Sequence, residues 1–331
     1  MNNERTVVRY ALVKRIKTGN EVLALGSAVE RGNIVYFAGL KNGELKKYNA
    51  EWNEVDVFKT QGQIRSIASM GDHIILTSWD KNIYCIGTDM HIIWKSAIDA
   101  FPFGVSVGRD FGAYTTNSGM LRMFDKDGNT RWERRFEGSI ETVFVMGDKI
   151  YTGTYKGEAL MLDREGNVKW QFNCGDMVKA ICGVEQFIII ATAGGKIFMF
   201  RPDGTMYWVQ QVTSPPISSA CTGELIAVGL FNNSVLFFDK TGKVVQKLEE
   251  TTKLSTLTFL QQDTLITGTQ SINVYQNYPD ENVEILYEIM CIGGKCGTFI
   301  SAELLDNCPQ CGSDKIISRV VLENRFRKEF D

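Results

Sequence analysis

Between Ser139 and Asn173 apolar and polar positions alternate in four short runs, each broken by turn residues. SIETVFV ends at Gly147-Asp148, KIYTGT at Tyr155-Lys156-Gly157 and EALMLD at Arg164-Glu165-Gly166, and NVKWQFN closes the stretch. A period of two sends successive side chains to opposite faces of a sheet, while Gly, Asp and Asn supply tight hairpin turns. The pattern predicts four antiparallel strands. No segment sustains an apolar period of 3.6, so helix is predicted to be nearly absent.

The same unit recurs. Trp94, Trp132, Trp170 and Trp208 stand 38 residues apart, Gly128, Gly166, Gly204 and Gly242 keep the same step, and Asp125, Asp163 and Asp239 share a third register. Units begin near Glu21, Gln61, Asp99, Glu137, Cys174, Val212 and Glu250. Four strands in about 40 residues, repeated round a ring, make a β-propeller blade. The expected fold is therefore all-β: a seven-bladed β-propeller over residues 1–286, followed by a small module over residues 287–331. The last unit has three strands, up to Tyr275, and VVRYALVKRIKT precedes the first unit. Residues 1–18 are expected to supply the closing outer strand of the last blade, because pairing there removes an open sheet edge.

The D-x-x-G-x-x-x-W ending resembles the repeats of PQQ-like (quinoprotein dehydrogenase-like) propellers over about residues 5–285, more than WD40-like repeats, whose GH and WD pairs are missing. The resemblance implies that each tryptophan packs between neighbouring blades. The tryptophan ladder lapses at Asp56 and Gln246, where other contacts are expected. The quinone enzymes of that family hold their cofactor with adjacent cysteines and an acidic Ca²⁺ site. This chain has no Cys-Cys pair, so no PQQ is expected.

Chemistry concentrates near the C-terminus. Cys291-IGGK-Cys296 and Cys308-PQ-Cys311-Gly312 pair four of the eight cysteines. Two thiolate pairs on tight turns can surround one Zn²⁺ tetrahedrally, and the short segment around them needs a metal to fold. The segment resembles a rubredoxin-like zinc ribbon with a structural Zn²⁺; an iron–sulfur centre or four free thiols are the alternatives. Cys85, Cys174, Cys182 and Cys221 are expected to be small buried hydrophobes. The sequence begins without a basic then apolar leader, and no run is apolar enough to span a membrane. Cytoplasmic location, with no membrane partner, is the expectation, and reduced thiols fit it.

The 331 residues carry 36 Lys+Arg against 39 Asp+Glu, a formal net charge of −3 that disfavours general polyanion binding. No GxSxG, HExxH or P-loop occurs in a strand-turn-helix context, and His73 and His91 sit in turns, so no enzyme is expected. Positions that vary at constant register are free for recognition. The turn between second and third strands reads Lys41, Trp79, Asn117, Tyr155, Ala193, Phe231 and Thr269 at a step of 38. With Phe101 and Phe103 in a crossover, these predict a partner-binding rim. The leading reading is a non-catalytic scaffold of a cytosolic multiprotein complex, using the rim and the zinc ribbon. The alternative is a nucleic-acid- or ribosome-associated factor using the ribbon and basic residues such as Arg5, Arg9, Lys14, Arg15, Lys17, Arg319, Arg325, Arg327 and Lys328. A third is a small-ligand sensor or enzyme using the central channel, which is expected to be lined by apolar and small residues.

Overall fold

A computed structural model of the chain describes residues 8–278, 283–293 and 296–324. Among these residues the chain forms seven four-stranded antiparallel sheets, one three-stranded sheet and no helix. The alternating stretch from Ser139 becomes strands Thr142–Met146, Lys149–Gly153, Glu158–Leu162 and Val168–Asn173, paired in that order. The second and third strands are buried on both faces, while the fourth alternates between exposed and half-buried. This gradient makes the fourth strand the outer one.

Innermost strands of successive sheets pack side by side. Val22–Glu30 lies against Ile64–Met70, then come Pro102–Val107, Thr142–Met146, Val178–Val184, Pro216–Cys221 and Thr256–Gln261, and the last returns to the first. Apolar clusters straddle neighbours in this circle, as where Phe111, Leu121 and Met123 of one sheet meet Ile140, Val143 and Ile150 of the next. Each such side chain contributes about 1.5–3 kcal/mol on burial. Tyr10–Lys17 runs antiparallel to Ser271–Asn277 as the fourth strand of the last sheet. Residues 1–7 of the proposed closing segment lie outside the described residues.

The tryptophans sit where the resemblance implies. The indole N–H groups of Trp94, Trp132, Trp170 and Trp208 donate to the carbonyls of Lys126, Arg164, Pro202 and Lys240 at 3.2, 2.8, 3.3 and 3.0 Å. Each carbonyl belongs to the outer turn of the following sheet. The ring face rests on that turn's glycine: a Cβ at Gly128, Gly166, Gly204 or Gly242 would fall 2.8–3.1 Å from indole carbons. At the Gln246 lapse the side-chain amide bridges to the closing strand, accepting from Tyr10 N at 2.8 Å and donating to Tyr10 O at 3.0 Å.

The small sheet orders Thr298–Ser301, Val283–Cys291 and Ile316–Asn324 with Val283–Cys291 central. An ion pair of 2.8 Å joins its Asp306 loop to Arg15 of the closing strand.

Candidate functional site

The central strand of the small sheet delivers Cys291 at its end, and Cys291 N donates to Gly297 O at 3.1 Å, folding the chain back toward Cys296. The second knuckle closes through Cys308 N to Ser313 O at 2.7 Å and Gly312 N to Cys308 O at 2.8 Å, with Gly312 at φ 72°. That left-handed conformation is the reason for glycine after Cys311. The sulfurs of Cys291, Cys296, Cys308 and Cys311 all lie within 4.8 Å of one another, and those of Cys291 and Cys311 are 3.7 Å apart. Tetrahedral metal–sulfur bonds of about 2.3 Å place sulfurs about 3.8 Å apart, so the donor set fits one ion. Burial opposes ionisation of Cys308, yet amides of Cys311 and Gln310 donate to its sulfur and bring its pKa down to about 7. The four cysteines suggest a structural metal.

The turn tips share one backbone device. The N–H groups of Lys41, Trp79, Asn117, Tyr155, Ala193 and Phe231 donate to the carbonyls of Glu21, Gln63, Phe101, Ser139, Met177 and Pro215, at 2.8–3.1 Å. Each acceptor lies just ahead of an innermost strand, so these tips surround the channel on one face. Thr269 departs from the predicted ring: it is fully buried and donates to Ser271 O. Ala193 is half-buried.

The aromatic tips divide into two kinds. Trp79 leans on Phe101 and Phe103, with centroids 5.6 and 6.0 Å apart, and the Arg65 guanidinium lies 5.3 Å from the indole. These three rings pack on one another, Trp79 and Phe101 remain exposed, and Phe103 is half-buried at the channel. Tyr155 and Phe231 are 59% and 68% exposed. Neither stacks on another ring among the described residues.

A family model described as outer membrane protein assembly factor BamB matches residues 80–254. The chain belongs to this PQQ-like propeller family. Compared with curated proteins, it matches none. The BamB-type match covers all four indoles of the ladder and, in full, the four sheets from Pro102–Val107 to Val244–Glu249.

Two expectations change for this BamB-type propeller. The channel is not lined by apolar and small side chains alone, since Arg65, Glu141 and Lys179 also line it. The strand pattern missed them because Arg65 and Lys179 stand at register slips that break the alternation, and Glu141 lies just ahead of its strand. Of the cations behind the nucleic-acid alternative, Arg15 pairs with Asp306 and Arg319 with Glu288. Arg5, Arg325, Arg327 and Lys328 lie outside the described residues. Cys85, Cys174 and Cys182 are buried, whereas Cys221 is half-buried. No helix among the described residues is long and apolar enough to cross a membrane.

Proposed function

We propose that the chain is a non-catalytic scaffold whose partners dock on the face where the innermost strands begin, with the Cys291, Cys296, Cys308 and Cys311 module as a second contact point. One observation carries this reading: six tips keep the same backbone hydrogen bond while their side chains differ, and Tyr155 and Phe231 stand exposed without structural need. Large exposed rings on a rigid frame are favoured anchors for a protein partner. Lys41 and Asn117, also exposed, supply polar contacts beside them. The family's description names an assembly factor, which is compatible with a protein-binding role here.

Zn²⁺ is the proposed ion, because it takes four thiolates tetrahedrally and closes the site without an open position. Cys291, Cys296, Cys308 and Cys311 would hold it, and its contribution is folding free energy. Retention of four thiolates favours a reducing compartment, so the cytoplasm is the proposed location.

Affinity purification of the full chain from its source cell tests the reading. The wild type should retain protein partners that a Tyr155→Ser/Phe231→Ser double variant loses, by about tenfold or more for hot-spot rings. Wild type and double variant should melt alike, since neither ring supports the fold. Equal recovery by wild type and variant would overturn the face assignment, and metal analysis showing no zinc would overturn the ion.

A further inference from the structure

A cavity of about 200 Å³ opens at the centre of the ring, on the face of the turn tips. Its mouth is built by one residue from each sheet. In five innermost strands the register slips near the first residue, leaving an extra residue at Leu23, Arg65, Phe103, Lys179 and Ile217. A β-bulge re-aims a side chain, and all five line the cavity. Glu141 and Ser255 take the same place just ahead of Thr142–Met146 and Thr256–Gln261. One position further along, every sheet has Ala, Ser, Gly or Thr, from Ala24 and Ser66 to Thr256. Convergence of seven strands requires the small residues. The mouth position is free to vary, and it does.

Most of the polar groups in this ring are already satisfied. Glu141 and Lys179 form an ion pair, and Ser255 donates to Glu21 at 2.7 Å. Arg65 is different. Its Nε is buried without a hydrogen-bond partner, and no carboxylate among the described residues lies within ion-pair distance. Its guanidinium stands 5.3 Å from the Trp79 ring and 5.7 Å from the Phe103 ring. Aromatic faces hold the cation and leave the in-plane N–H groups for an acceptor. Leu23 and Phe103 follow on either side of Arg65 in the ring, and the buried Ser219 hydroxyl, also in the cavity wall, has no partner either.

We propose that this mouth binds a carboxylate borne next to a small branched apolar group. Arg65 donates to the carboxylate, and Leu23 and Phe103 receive the apolar group. A free branched-chain acid and the C-terminus of a chain ending in leucine share this chemistry. The site needs no scaffold partner, so its test is separate from that of the rim.

Titration of the full chain with 4-methylpentanoate, with N-acetyl-Ala-Ala-Leu, and with the amides of both provides the test, read by calorimetry and by the Arg65 Nε–Hε resonance. At least one acid should bind and shift that resonance, with its amide weaker by about tenfold or more, since a charge-assisted bond is lost. Binding of the acid alone identifies a free small acid, and of the peptide alone a chain terminus; either supports the site. Arg65→Met should weaken binding by a similar factor. If that variant does not fold, the wild-type resonance and a Ser219→Ala variant, expected to bind severalfold more weakly, carry the test. No binding of either acid at about 5 mM, or acids and amides binding alike, would overturn the proposal.

Discussion

Gly128 meets two demands that one methyl group would violate: its φ is 83°, and a Cβ would press within 2.8 Å of the Trp94 ring. The same rung in the first two sheets is held by Trp52 and Met90, at φ 66° and 64°. The residues that would carry the facing indole there are Thr18 and Asp56. Glycine is therefore kept where an indole must lie flat, and the left-handed turn alone tolerates a side chain. Gly128→Ala is expected to destabilise by about 2 kcal/mol, from conformation and contact together. Gly223→Ala, with open space and no positive φ, is expected to stay within about 0.5 kcal/mol; urea midpoints compare the two. Glu21 gives a second test at this scale. Burial alone would raise its carboxyl, but hydrogen bonds from Lys41, Lys253 and Ser255 outweigh it and lower the pKa from 4.5 to about 2. A depressed carboxyl contributes stability above its unfolded pKa and loses it as pH falls through the folded one. Wild type is expected to be more stable than Glu21→Gln at neutral pH, with the gap closing between pH 4.5 and about 2. A gap that persists at pH 2 would assign the effect to something other than ionisation.

At the scale of elements, the outer strands were legible because they repeat. Alternation in NVKWQFN and the tryptophan step mark both the strand and its contact, since a docked indole demands a glycine turn in the next sheet. The innermost strands were less so: bulges at Arg65, Lys179 and Ile217 shift the pattern by one residue, and side chains that a strict alternation would place elsewhere line the channel. Thr269 was misread because the last sheet takes its outer strand from the far end of the chain, and its tip bonds to Ser271 instead of a crossover. The cysteine knuckles were fully legible, as ligand spacing is local. The closing strand carries its own prediction. Without residues 1–18, Ser271–Asn277 becomes an unpaired edge, and Tyr10 no longer stacks on Phe237 at 4.8 Å. Exposed edges pair with other chains. The shortened chain is expected to self-associate in light scattering, and a peptide of residues 8–18 added in excess to restore the monomer. A monomer without the peptide would mean that the ring closes by other contacts.

For the whole molecule, the question is whether the small sheet and the ring stand or fall together. The ring's clusters link sheet to sheet around the circle, and among the described residues none of them includes a residue beyond Tyr275. The small sheet buries Tyr287, Ile289, Cys291 and Cys308, a core too slight to offset the entropy of ordering its strands without help. The ion pair to the ring, Arg15 to Asp306, joins partly exposed side chains and contributes about 0–1 kcal/mol. The metal site is therefore expected to stabilise chiefly its own module. Removing the ion with a chelator, or replacing Cys308 with serine, is expected to abolish protection of residues 283–324 against protease and hydrogen exchange. The main thermal transition of the ring should then move by no more than a few degrees, the scale of about 1 kcal/mol in a chain of this size. Collapse of that transition on chelation would show that the ring depends on the cysteine module, and that the two are one cooperative unit.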